Sequence, residues 1–117
     1  MRKIEQQMIE AIKTQRNNAT GKPVGDVQTW SQDNTQVRTS IREDGAIATS
    51  VYLHGNLIAQ KSGALSDNWG FKMCGWNTPT TRSRINVIAG EFGQSGVCQR
   101  KGKLYSAGKE INSVEWF

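Results

Sequence analysis

The sequence predicts an α+β fold: an antiparallel sheet of about five or six strands, an N-terminal helix, and one further helix inserted after the fourth strand. Three observations carry this expectation. Apolar residues recur at helical spacing near the start of the chain and again after residue 78. Between those stretches, apolar and polar residues alternate in runs separated by the turn dipeptides Asp44-Gly45 and Gly55-Asn56. The 12 glycines and the hydrophobic content of 36% add many tight turns and a modest core.

With 117 residues, one domain spanning 1–117 is the default, with the helix at about 2–16 and a sheet-and-helix body at about 34–117. The net charge of +5 and a pI near 9.5 attract polyanions: nucleic acid, an anionic membrane or an acidic protein. Ordinary solubility is the competing explanation. The opening Met1-Arg2-Lys3-Ile4-Glu5-Gln6-Gln7 has no apolar run behind it, so no secretory signal is expected. No stretch approaches the roughly 20 apolar residues of a membrane span. A cytoplasmic location follows as the expectation, with Cys74 and Cys98 reduced. Two cysteines and one distant histidine make no zinc site, and neither metal nor cofactor is expected.

In the first helix Ile4, Met8, Ile9, Ala11, Ile12 and Gln15 form one narrow stripe. Arg2, Lys3, Glu5, Gln6, Glu10 and Lys13 cover the other faces, with Glu10 and Lys13 close enough to pair. Residues 17–33 lose periodicity and read as a long polar connection around Trp30. Two strands follow. A two-residue Asp44-Gly45 loop would set Arg42 opposite Ile47. A three-residue loop with Gly45 at positive φ pairs Ile41 with Ile47, Thr39 with Thr49 and Val37 with Val51. Because a one-residue slip turns every side chain to the other face, the second register is expected.

A Gly55-Asn56 turn then pairs Leu53 with Ile58 and Tyr52 with Ala59. The resulting sheet has an apolar face of Val37, Ile41, Ile47, Val51, Leu53 and Ile58. Its other face carries Gln36, Arg38, Ser40, Arg42, Ser50, Tyr52, His54 and Lys61. Residues 62–68 read as a turn-rich link. Residues 69–76 read as a fourth strand with Trp69, Phe71 and Met73 on one side, and with glycines marking a bend or a close neighbour. Thr78 is a good N-cap and Pro79 a good first helical residue. Ile85, Ile88, Ala89 and Phe92 make the core stripe, with Gly90 able to end the helix before Phe92. A hairpin around Lys101-Gly102 and one short strand within 107–117 complete the chain. Trp116 and Phe117 are expected to pack back on the body.

Three groups of residues invite chemistry. The helix starting at Thr78 has no acid in its first turns. Instead Thr80, Thr81, Ser83, Arg82 and Arg84 gather at its positive end, next to the aromatic Trp76. Free N–H groups, hydroxyls and guanidiniums there suit a phosphate or carboxylate. The alternative is that the arginines pair with Asp67, Glu91 or the C-terminal carboxylate. The sheet face of Arg38, Arg42, Tyr52, His54 and Lys61 has the chemistry of a base-stacking platform, or is a plain solvated face. Arg100, Lys101 and Lys103 form a basic hairpin tip. No carboxylate pair, phosphate loop, or nucleophile–base set around His54 is legible, so no enzyme is expected.

The run Gly75-Trp76-Asn77-Thr78-Pro79-Thr80-Thr81-Arg82-Ser83-Arg84-Ile85-Asn86, preceded by His54-Gly55-Asn56-Leu57-Ile58-Ala59, resembles a pattern of small tailed-phage proteins. In that pattern a His-Gly-Asn-x-Ile-Ala hairpin precedes Gly-Trp-x-Thr-x-Thr-Thr-x-Ser-Arg-Ile/Leu-Asn, and residues 97–105 resemble its closing hairpin. The match covers about 35–106. The resemblance implies a phage accessory protein expressed in the cytoplasm of a bacterial host; it implies no activity. The leading expectation is non-enzymatic nucleic-acid binding through the cations above. The alternative is a protein-binding inhibitor that meets an acidic host protein through exposed tryptophans and a basic patch. Homodimerisation through an edge strand is left open.

Overall fold

Two helices lie against one face of a five-stranded antiparallel sheet, and a three-stranded sheet sits at one end. The computed structural model describes residues 2–62 and 69–117. Helix α1 spans Lys3–Ala19 and helix α2 spans Pro79–Glu91. The large sheet runs in the order β1 (Val27–Gln32), β2 (Thr35–Ile41), β3 (Ile47–Leu53), β4 (Asn56–Lys61), β5 (Gly70–Phe71). Strands β6 (Cys98–Arg100), β7 (Lys103–Ser106) and β8 (Lys109–Ile111) form the small sheet. The architecture is α+β, with its strands divided between two sheets.

The first helix runs one turn past its expected end. It buries Met8, Ile9, Ile12, Gln15 and Ala19 as its stripe requires, but it also buries Glu5. Gln15 is accommodated in the core by polar partners on β2. Its Nε2 donates to the Val37 carbonyl at 3.2 Å, and its Oε1 accepts from Thr39 at 2.8 Å. Lys13 pairs with Glu91 of α2, not with Glu10, and so ties the two helices together.

The β2–β3 hairpin has the register chosen by the slip argument. Ile41 faces Ile47, Thr39 faces Thr49 and Val37 faces Val51, and Gly45 lies at φ 83°. Thr35, Thr39 and Thr49 share the buried face, so that face is less uniformly apolar than its pattern.

Several expectations need correction. The supposed loop at 17–33 contains β1, paired along its length with β2 from Val27 opposite Ser40 to Gln32 opposite Thr35. Its six residues mix polar types on both faces, so no apolar alternation marked it; pairing with β2 makes it a strand. The β3–β4 turn is His54-Gly55, at φ 51° and 79°, not Gly55-Asn56. Two left-handed residues match the twist of a tight hairpin, and Leu53 therefore faces Asn56. A bulge at Val51/Tyr52 then shifts the ladder, so that Thr49, not Ser50, faces Lys61.

The fourth expected strand shrinks to Gly70–Phe71, because the chain turns at Cys74 (φ 56°) and Gly75 (φ 77°). Trp69, Phe71 and Met73 nonetheless point inward. The link expected at 62–68 lies, beyond Ser62, outside the described residues.

Phe117 exchanges both backbone hydrogen bonds with Phe71, at 2.8 and 2.9 Å, and covers the outer edge of β5. Trp116 lies over Gly70: a Cβ there would stand 3.3 Å from the indole, a tight contact. The Lys101-Gly102 hairpin has a two-residue turn, with Arg100 facing Lys103 and Cys98 facing Tyr105. Asn86 of α2 anchors this small sheet by bracketing Val97, donating to its carbonyl at 2.9 Å and accepting from its N–H at 2.7 Å.

Candidate functional site

Helix α2 begins as its residues dictate. Thr78 is extended at φ −111°, its hydroxyl accepts the Thr81 N–H at 3.2 Å, and Pro79 follows at the first position. No acidic residue occupies the first turn. Each helical residue rotates by about 100°, so Arg82 and Arg84 leave the helix in opposing directions. That rotation separates two residues which the sequence grouped together.

Arg84 points into the molecule and is 3% exposed. Its Nη1 contacts Glu5 Oε2 at 2.8 Å, and its Nε donates to Thr35 Oγ1 at 3.2 Å. Ser83 donates to the same Glu5 oxygen at 2.6 Å, and the Arg2 N–H donates to Oε1 at 3.2 Å. Burial pushes the Glu5 carboxyl up. The Ser83, Arg2 and Arg84 hydrogen bonds, together with the Arg84 charge, outweigh it and leave the group below the ordinary carboxylate value.

Arg84 therefore leaves the expected anion set. Its partner is none of the three carboxylates anticipated for it, since Glu5 was assigned to a solvated face. Thr81 is also withdrawn: it is 2% exposed, and its hydroxyl is engaged with Thr78 at 2.9 Å. Thr80 stays half-buried at the surface.

Arg82 points outward. Its Nη1 donates to Asn77 Oδ1 and, at 2.8 Å, to Gln99 Oε1 of β6; Asn77 Nδ2 donates to Gln99 at 3.1 Å. These partners are neutral, so they orient the guanidinium without cancelling its charge. Next to Asn77 stands Trp76, 62% exposed. Gln99 belongs to the basic hairpin, so this bond ties Arg82 to β6; along the strand the Gln99 side chain points to the face opposite that of Arg100, which pairs with Lys103. All three hairpin cations, Arg100, Lys101 and Lys103, are exposed. Lys103 has a counter-charge in Glu110 at 3.8 Å, with both side chains more than half exposed; such a pair is weak.

The remaining expected residues do not join this corner as one patch. Arg38 and Tyr52 do share the sheet face opposite the helices, where Arg38 faces Ser50 and Tyr52 faces Gln36 and Leu57. Lys61 is on the other side: its ammonium lies 6.0 Å from the Phe92 ring centroid, because the bulge puts it on the helix face. Arg42 follows the far end of β2, seven steps from Thr35, which Arg84 contacts. That is about 23 Å of strand. It stands beside Glu43 and Asp44.

A cavity of about 250 Å³ opens beside Trp76, between the β3–β4 turn and the start of α2. Leu53, Ile58 and Met73 supply its apolar floor, and Trp76, His54 and Thr80 stand around it. Of the residues that matter at this corner, Trp76, Asn77 and Gln99 were absent from the expected site. Trp76 was legible as an aromatic inside the motif. Asn77 and Gln99 were not, since a single amide carries no signal of the guanidinium it will meet.

The fold and this corner define a class: a small α+β module with helices on one sheet face and an exposed aromatic set among cations. The chain belongs to the Kyanoviridae Gp96 protein family, a phage family whose model matches residues 1–117. No curated protein and no solved structure matches it. Among the described residues, no helix is long and apolar enough to cross a membrane.

Proposed function

We propose that this phage protein binds single-stranded nucleic acid non-enzymatically, in the host cytoplasm, through the corner formed by Trp76, Arg82 and the β6–β7 hairpin. One observation carries the reading. Within the 75–86 motif, most side chains are consumed by the fold. Thr78 caps, Thr81 is buried, Ser83 and Arg84 hold Glu5, Ile85 is in the core and Asn86 holds Val97. Trp76 instead is exposed, and the half-buried Arg82 carries its guanidinium to Asn77, the residue next to Trp76. An exposed indole beside cations is the chemistry that stacks a base and meets its phosphate. Thr80, Arg100, Lys101 and Lys103 extend that surface, while Arg38 and Tyr52 offer a second, more distant contact on the open sheet face.

The test is titration of labelled single-stranded DNA and RNA with the full chain across a salt series. With about three phosphates contacted, the logarithm of the binding constant falls with a slope near −2 against the logarithm of salt. Absence of binding at low salt removes the reading. A protein partner is the second reading, favoured by a specific juxtaposition. The Gly75 N–H bonds the Ser113 carbonyl at 2.6 Å, which brings exposed Val114 next to exposed Trp76. Such a partner is captured from nuclease-treated bacterial lysate at high salt and lost with Trp76→Ala.

A further inference from the structure

We propose that the cavity beside Trp76 receives one unstacked nucleobase of the bound strand. This rests on the nucleic-acid reading and adds to it where a base would go. The cavity volume of about 250 Å³ falls below the roughly 300–1,000 Å³ of sites for drug-sized ligands. It offers room for one ring system and leaves sugar and phosphate outside.

The lining suits a flat heteroaromatic. Leu53, Ile58 and Met73 are at most 4% exposed and make a dry floor. Trp76 forms part of the wall and is 62% exposed among the described residues, so an inserted ring would cover indole surface left open by the fold. Stacking of this kind tolerates any base, because every base has a π-face. His54, Asn56 and Thr80 stand around the opening with donors and acceptors for a base edge. No acidic side chain lines the cavity among the described residues, so nothing there repels a phosphate. Arg82 is held just outside it: its partner Asn77 joins Trp76 to Thr78, two of the lining residues. An aliphatic side chain from a partner protein would use the floor but would leave the polar opening and Arg82 without partners. A duplex keeps its bases stacked, so the fitting ligand is a single strand.

The experiment compares a short labelled single-stranded oligonucleotide with an abasic one of equal length, using the full chain at low salt. Wild type is expected to bind the base-bearing strand about tenfold more tightly than the abasic strand. Thr80→Phe narrows the opening, and Trp76→Ala removes the stacking wall. Each is expected to abolish the roughly tenfold preference for the base-bearing strand over the abasic one. Circular dichroism confirms folding, and since Trp76 is exposed, its variant decides if Thr80→Phe does not fold. Equal binding of the two strands by wild type overturns the cavity proposal and leaves the backbone-binding reading intact. Variants that weaken both strands alike overturn it too. Failure of both strands to bind overturns the nucleic-acid reading itself. If a lysate protein is then captured by wild type and lost with Thr80→Phe, a protein side chain is the occupant.

Discussion

Arg82 and Arg84 stand two positions apart on one helix and serve different regions. Around Arg84 is an interior clasp, in which a guanidinium, a carboxylate and hydroxyls from three separate parts of the chain satisfy one another. Around Arg82 is an exterior corner, in which two neutral amides hold a guanidinium that keeps its charge beside a bare indole. The clasp closes α1, α2 and β2 into one unit. The corner closes nothing in the core. The same residue type is consumed where a carboxylate is buried with it, and stays free for a ligand where amides alone orient it.

Breaking the clasp should give the largest effect. Arg84→Ala leaves Glu5 buried without its counter-charge and should cost about 3–5 kcal/mol in urea unfolding. The double variant Glu5→Met with Arg84→Met should cost far less, because removing both charges leaves neither one stranded. If the two single variants simply add, the clasp is not a coupled unit.

Acidification probes the same region next. The Glu5 pKa is lowered on folding, so its contribution is fully present above the ordinary value of 4.5 and is lost as pH falls through the folded value. Unfolding midpoints of the wild type should therefore fall below about pH 4.5, and this loss should be smaller in Glu5→Gln. Equal acid sensitivity of the two proteins would place the titrating group elsewhere.

Arg82→Ala sharpens the contrast from the other side. Stability should change by no more than about 0.5 kcal/mol, as for a surface position. The salt slope of single-strand binding should fall by about 0.7 for the lost phosphate contact. A large stability loss with unchanged binding would make Arg82 a second structural arginine.

The smallest expected effect is at the hairpin. Glu110→Gln frees Lys103 from an exposed pair worth about 0–1 kcal/mol. Stability should barely move, and single-strand affinity should rise about twofold at low salt. No change would put Lys103 outside the binding surface.

Much of the body was legible because its signals are local. The α2 cap at Thr78-Pro79, the inward stripe of Ile85, Ile88 and Ala89, and the Gly45 loop each depend on residues close in sequence. The β2–β3 register was legible for a further reason: one step of slip would have buried Arg38 and Arg42. Strand β1 was not legible, because its alternation is polar on polar and its order comes from β2. The turn at His54-Gly55 was not legible because Gly55-Asn56 is also a favourable two-residue turn dipeptide, and the bulge that relocates Lys61 depends on how β4 meets β3.

By itself the sequence determined the α+β class, both helices and the hairpin that fixes which sheet face is apolar, since periodicity and turn chemistry act within a few residues. Only the tertiary structure decided which arginine is internal. Glu5 and Arg84 lie 79 positions apart, and a polar residue on a helix reads as solvated until its partner is known. Burial of a charge is a property of the pair, and the chain must fold before the pair exists.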